Sequence, residues 1–320
     1  VKRVKKKHSS LYGRIKKRFF IKVMEGIMNK IVVVGSINVD LVFTSDIRPK
    51  AGETVLGNDF KIIAGGKGAN QAVAASKLGA DVTMIGCVGD DANGQFSLDN
   101  FRSVNVNTSC ISKINNVSTG VANIIVAEND NSIIVVAGAN YKVDKSLIDN
   151  YKKEILNADI VLLQLEIPRD VVEYTLNLCY ENNIKTVLNP APAVTLSKNM
   201  IEKATYITPN EHECRIILGS DKDTNIKDII KDYPNKLMIT MGEKGVMYFD
   251  GKDIITVPAY KVEVVDTTGA GDTFNGAFAR AIVIGLELKD AINFANKASS
   301  KSVTKLGAQA GMPTLDELTE

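Results

Sequence analysis

The stretch Val265-Asp266-Thr267-Thr268-Gly269-Ala270-Gly271-Asp272-Thr273-Phe274-Asn275-Gly276 sets a carboxylate inside a turn of small residues. The Val-rich run Val262 to Val265 reads as a strand and Thr273 to Leu286 has the apolar spacing of a buried helix, so the expected order is strand, glycine turn, helix. Such a turn leaves the first backbone N–H groups of the helix without intrahelical partners, at the positive end of its dipole. An anion would settle there. Asp272 would repel a bound phosphate unless it takes a proton from a group attacking that phosphate, and a base beside an anion hole suggests phosphoryl transfer to a hydroxyl. A plain helix start capped by Asp272 accounts for the segment equally well, aspartate being a common N-cap.

Other residues could join that chemistry. Gly65-Gly66-Lys67-Gly68-Ala69-Asn70 opens a helix running on to Leu78; its glycines allow close backbone approach to a ligand, and Asn70 would face the cleft from the first turn. Lys67 is followed by Gly68, and no glycine stands five residues before Gly66, so this is not a Walker A loop. Lys30 to Gly35 is a β-branched apolar run, as in a strand buried on both faces of a parallel sheet, and it leads into Ser36-Ile37-Asn38-Val39-Asp40. Ligands collect beyond the carboxyl ends of such strands, which puts Asn38 and Asp40 where a substrate belongs. Ile160 to Leu165 ends at Glu166 in the same way. Each residue also has an ordinary reading: Asn38 and Asp40 as turn formers, Glu166 as a loop acid, Glu213 as a first-turn helix acid, Asn210 as an N-cap, Lys67 as a solvated cation. Function is favoured because all of them fall at a carboxyl edge or a glycine turn, on one face of one sheet.

The elements that must position these groups alternate as in an α/β fold. Strands are expected at Val82 to Val88, Thr186 to Leu188 and Lys236 to Met241, with helices at Ala92 to Phe101, Lys145 to Asn157, Asp170 to Asn182 and Lys289 to Lys305. Tyr206 to Glu213 reads as a strand handing over to a helix. Two segments depart from the alternation: Leu41 to Ile63, and Val121 to Ala127 with Ser132 to Val136, both reading as hairpins. Paired together, they would make a small lid sheet over the cleft, able to exclude water.

The chain has 320 residues, 45% apolar and 24% charged, which suits a globular protein with ample core. Four scattered cysteines and only two histidines argue against a disulfide scaffold or zinc and fit a reducing cytoplasm. No apolar run approaches the roughly 20 residues of a membrane span. Residues 1–27 carry ten Lys and Arg against one acid, Glu25, so the rest is net acidic although the whole chain is +2. That acidic remainder does not suit nucleic-acid binding. The basic head could be a transit-like segment or a nucleic-acid arm, but Met28 begins the first strand directly, and the head reads better as an artefact of expression or of an upstream start, outside the fold.

Gly65-Gly66-Lys67-Gly68-Ala69-Asn70-Gln71-Ala72 with Gly79 and Gly89, and Asp266 to Asp272 followed by Gly276-Ala277, resemble the two signatures of the ribokinase-like (PfkB) carbohydrate kinases, in order and roughly 200 residues apart. Gly35 to Asp40, Asn189-Pro190-Ala191-Pro192-Ala193 and Thr208-Pro209-Asn210-Glu211 extend the resemblance over essentially all of 28–320. It implies a three-layer α/β fold with a mostly parallel central sheet flanked by helices and a small β-sheet lid, its strands inserted at about 38–63 and 118–138. The implied activity is ATP-dependent phosphorylation of D-ribose at its 5-hydroxyl; another sugar or nucleoside kinase, or a sugar-binding regulator without catalysis, are the alternatives. Asn38, Asp40, Gly66, Lys67, Asn70 and Glu166 would hold the sugar, Asp272 would be the base, and the amides of Gly269, Ala270 and Gly271 the anion hole. Asn210 and Glu213 would organise magnesium and phosphate. Thr240, Gly242, Gly245 and Gly271 would line the nucleotide, with Asn296 near its base. Potassium as activator would sit among Asp266, Thr268, Ser302, Lys305, Gly307 and Gly311, mainly on carbonyls, Lys305 serving only through its own. A small lid sheet with open edges needs covering, so a homodimer through the lid is expected.

Overall fold

The computed structural model describes residues 30–319 apart from 129, 222 and 223; the basic head and the boundary at Met28 lie outside the described residues. The first half runs β1 Lys30–Val34, β2 Asn38–Thr44, β3 Asp59–Gly65, α1 Lys67–Lys77, β4 Asp81–Gly89, α2 Ala92–Ser103, β5 Val106–Ile114, β6 Gly120–Ala127 and β7 Asp130–Val136. It continues with α3 Lys145–Asn150, α4 Lys152–Leu156, β8 Ile160–Leu163, α5 Arg169–Glu181, β9 Lys185–Leu188, α6 Lys198–Lys203, β10 Tyr206–Ile207, α7 Glu211–Ile217 and α8 Ile226–Ile229. The last part holds β11 Met238–Thr240, β12 Val246–Phe249, β13 Ile254–Val257, α9 Ala270–Val283, α10 Leu288–Ser302, α11 Ala308–Gly311 and α12 Leu315–Thr319.

The central sheet has the order β10-β9-β8-β1-β4-β5, all neighbours parallel. The antiparallel strands β11-β12-β13 continue it through the bridges Ile207↔Leu237 and Asn210↔Thr240. Two apolar layers explain why β1 is apolar at successive positions: Ile31 and Val33 face α1, α9 and α10, whereas Val32 and Val34 face α5 and its neighbours. This is the expected three-layer α/β architecture. The two hairpins join into one four-stranded sheet, β3-β2-β6-β7, in which β2 and β6 run parallel and the outer pairs antiparallel. Among the described residues no helix is long and apolar enough to cross a membrane.

Some expected elements differ. Val262 to Val265 forms no strand: Val262, Val264 and Val265 are exposed, and the link to the body of the fold runs from the Val265 and Asp266 amides to the Val303 carbonyl. β-branched residues favour a strand only when one is there to pair with. The expected helix from Lys145 to Asn157 breaks at Tyr151, whose φ of −108° and ψ of 19° leave the α region. Strand β5 has no counterpart in the sequence reading. Asn38 and Asp40 lie on β2 of the outlying sheet rather than at the edge of the central one, because the chain turns into a new strand straight after Ile37.

Candidate active site

Two helix starts converge on one place. α1 begins after Gly66 and α9 after Gly269, neither with a side-chain cap from its own N-cap residue. The first amides of α1 are taken by Glu166, the Ser36 hydroxyl and the Ser36 carbonyl, so the donors open to a ligand belong to the start of α9. The helices pack closely because Gly276 lacks a side chain: a Cβ there would stand 2.7 Å from the Ala74 Cβ. Gly66 has φ +89°, and a Cβ would meet the Asn38 amide at 2.7 Å, so only glycine lets the outlying sheet approach this end of α1.

Asp272 is not the N-cap of α9. Gly269 holds that place in the left-handed conformation, and Asp272 sits in the first turn, 6% exposed. Its Oδ2 accepts from Asn70 Nδ2 at 2.9 Å and its Oδ1 from Gln71 Nε2 at 3.1 Å. Burial pushes its carboxyl up and Glu166 adds to this, while Lys67, Asn70 and Gln71 oppose it; the net shift is upward. In front of the turn there is room, since a Cβ on the exposed Gly271 would touch nothing within 4 Å. Of the three amides expected to form the anion hole, that of Ala270 is bonded to the Thr267 carbonyl at 3.2 Å.

The expected sugar residues gather around this carboxylate. Asp40 lies against Gly65, and its pKa is raised to about 6 by burial, then by the nearby carboxylates of Glu166 and Asp272. Lys67 balances them: burial lowers its pKa, but Asp272, Glu166 and Glu213 together outweigh that and raise it. Glu166 is held by the Ser36 hydroxyl and by the Lys67 amide at 2.9 Å. Asn38 accepts at Oδ1 from Asn140 Nδ2 at 2.6 Å, which leaves its own amide donors for a ligand. Several hydroxyls could be gripped at once here.

The expected nucleotide residues lie mostly along the next edge. Asn210 and Glu213 form a capping box at the start of α7, with both bonds at 2.8 Å. The Thr240 amide donates to the Pro209 carbonyl at 2.9 Å, and Gly242 and Gly245 take positive φ in the loop beyond β11. A Cβ on Gly245 would fall 2.0 Å from the Val257 carbonyl oxygen. Asn296 stands apart, buried on α10 with its Nδ2 donating to the Val257 and Pro258 carbonyls at 2.9 and 3.2 Å. There it fixes the chain after β13.

Of the residues assigned to a monovalent cation, Thr268 and Gly307 are tied to Asp266. Asp266 Oδ1 accepts from the Thr268 amide and hydroxyl, and Oδ2 from the Gly307 amide at 2.8 Å, which together with Thr268 hold its pKa down despite partial burial. A Cβ on Gly311 would sit 2.4 Å from the Ser302 carbonyl oxygen and 3.5 Å from that of Lys305. Lys305 Nζ is turned away to Glu317 at 2.9 Å, so its carbonyl is what it can offer. This cradle of oxygens fits potassium. Magnesium is a different case: among the described residues no group of three or more His, Cys, Asp or Glu is placed to hold a metal. A metal that arrives on nucleotide phosphates needs no more than one or two carboxylates, and Glu213 would be one.

A model of the pfkB family carbohydrate kinases matches residues 28–315. The chain belongs to that family. Its pfkB relatives include a protein named ribokinase from Bacillus subtilis, 48% identical over 92% of this chain and 99% of that protein, and one of the same name from Lactococcus lactis, 44% identical over 91% and 96%. The solved structure of an Arabidopsis thaliana ribokinase complexed with ribose and ATP superposes with a TM-score of 0.85, at 30% identity, over 92% of this chain and 99% of that one.

Sequence reasoning missed the supports of this pfkB site. Ser36, Gln71, Asn140, Gln164 and Gln309 each bond a residue assigned to it or to its holders; Gln309 Nε2, for one, donates to Asn70 Oδ1 at 2.9 Å. The signal for two of them was present. Gln164 is a lone amide in the apolar run Ile160 to Leu165, and Gln71 with Asn70 forms an amide pair ahead of an alanine-rich helix; buried groups of this kind are retained only with partners.

Proposed function

We propose that this chain transfers the γ-phosphoryl group of ATP to the 5-hydroxyl of D-ribose, giving D-ribose 5-phosphate and ADP. The observation that carries this reading is the buried Asp272, with one oxygen on each of two amides, beside the uncapped start of α9. Asp272 takes the hydroxyl proton, the freed oxygen bonds to the γ-phosphorus, and the bond from that phosphorus to the bridging oxygen breaks with its electron pair remaining on ADP. Amides at the glycine turn receive the developing charge. Asn38, Asp40, Gly66, Lys67, Asn70 and Glu166 hold the sugar. Asn210, Glu213, Thr240, Gly242, Gly245, Gly271 and Asn296 serve the nucleotide side. Glu213 would help hold the magnesium that accompanies the phosphates, which would supply charge neutralisation. Asp266, Thr268, Ser302, Lys305, Gly307 and Gly311 would hold potassium, mainly through carbonyls, and the ion would supply positive charge beside the glycine turn.

The four-stranded sheet acts as the lid. By strand alternation the lid face turned away from Asp40 carries Phe43, Phe60, Ile62 and Ile134, all exposed, and we read it as the contact with a second copy. Buried, unpaired cysteines suit a reducing cytoplasm, where we place the reaction. The Phe43 and Phe60 rings, 4.8 Å apart, lie on that outer face and offer nothing for stacking a nucleoside base over the sugar. ADP release in the presence of ribose, deoxyribose, fructose or adenosine, with potassium or sodium, tests the reading. Ribose-dependent ADP that rises with potassium is expected; ADP release indifferent to ribose would overturn it.

A further inference from the structure

The following rests on Asp272 being the base. Asn70, which holds Asp272 Oδ2, is already assigned to the sugar; Gln71, which holds Oδ1, is fully buried and has been given no role. What aims Gln71 is a relay behind it. Its Nε2 also donates to Asn189 Oδ1 at 3.1 Å, and its Oε1 accepts from Gln164 Nε2 at 2.6 Å. An ionised carboxylate only accepts, so Gln71 must turn its NH2 toward Asp272 and its oxygen toward Gln164, which must donate in turn. The relay ends on Gln164 Oε1, buried and without a partner. Gly35 makes room for that oxygen, since a Cβ there would stand 2.0 Å from it. A buried acceptor left unpaired is unfavourable. Reversing the amides would pair it at the expense of pointing the Gln71 oxygen at Asp272, so the charge on Asp272 sets the direction of the whole relay.

We propose that Gln71, aimed by Gln164, is a positioning residue for phosphoryl transfer: it fixes the Asp272 carboxylate in its ionised form with a lone pair left toward the attacking hydroxyl. The charged groups facing Asp272 are Lys67 on α1, Glu166 beyond β8 and Asp40 on β2. Lys67 favours the anion, the two carboxylates oppose it, and burial opposes it most. Without the amide of Gln71 the balance moves toward the neutral acid.

Gln71→Met keeps the length of the side chain and removes the donor. Expected are a kcat lower by roughly 10- to 100-fold at neutral pH, a ribose KM within about threefold of the parent, and an acidic limb of the kcat profile displaced to higher pH. Gln164→Met displaces the same limb less, and adds nothing when combined with Gln71→Met. An unmoved limb in Gln71→Met, or a ribose KM rising as far as kcat falls, overturns the proposal. Should Gln71→Met not fold, an unmoved limb in Gln164→Met does so instead. Asp272→Asn separates the two levels of the argument. Turnover retained in that variant removes the base and this role together; an inactive Asp272→Asn beside a Gln71→Met with the parental pH profile removes only the role of Gln71.

Discussion

Asp272 has both oxygens bonded inside the first turn of a long buried helix, whereas every described residue of β7, on the outlying sheet, is exposed. The region around α9 is held by amides and core packing that leave its carboxylate one place to be. The outlying sheet meets the site through Asn38 and Asp40 on β2, while its far strand presents Ile133, Ile134, Val135 and Val136 to solvent. Chemistry that needs a fixed base belongs in the first region. Closure over a substrate, and contact with another copy, belong in the second. Substitutions at the start of α9 should therefore lower kcat, those on β2 should weaken sugar binding, and those on β7 should change assembly with little effect on either.

Short of removing the base itself, the largest effect is expected at Gly269. Its φ is +74°, and a Cβ would stand 2.7 Å from the Ala308 Cβ and 3.0 Å from the Ala308 Cα. Gly269→Ala should distort the anion hole and lower kcat by roughly 100- to 1000-fold in steady-state assays, with ribose affinity retained. A next, smaller effect sharpens the contrast from the side of β2. Asp40→Asn should weaken ribose binding by roughly 10- to 100-fold, measured by calorimetry. Because Asp40 is held at about 6, it is ionised above that pH and takes a proton below it, so ribose affinity of the parent should fall as pH drops through about 6. In Asp40→Asn that dependence should disappear. The smallest effect on turnover is expected on β7: Ile134→Glu should shift a dimer to a monomer in sedimentation while kcat changes by less than about threefold. A monomer with turnover as low as that of Gly269→Ala would erase the division between the two regions.

How much of this was legible depended on the range over which each feature is decided. The starts of α1 and α9 are local: a glycine turn, a run of small residues and a periodic apolar face are written within a dozen or so positions. The hairpins were legible for the same reason. Strand β5 was not, since Val-Asn-Thr-Ser-Cys-Ile-Ser-Lys-Ile mixes polar residues into an edge strand with only Val106 and Cys110 buried. Val262 to Val265 misled in the opposite direction, having strand residues and no partner. The supports of the site were hidden because their contacts are remote. Gln309 reaches Asn70 across 239 positions and Asn140 reaches the Ile37 amide across 103, and one sequence carries no sign of which distant amide will arrive.

Asp272→Asn is the most direct measurement, with ribose binding by calorimetry and ribose-dependent ADP formation followed on the same preparation. The substitution keeps the shape and removes the proton acceptor, so ribose should still bind while ADP formation falls by roughly 100- to 10,000-fold. ADP formation within about tenfold of the parent would mean that another group takes the proton, and the role given to the start of α9 would be wrong.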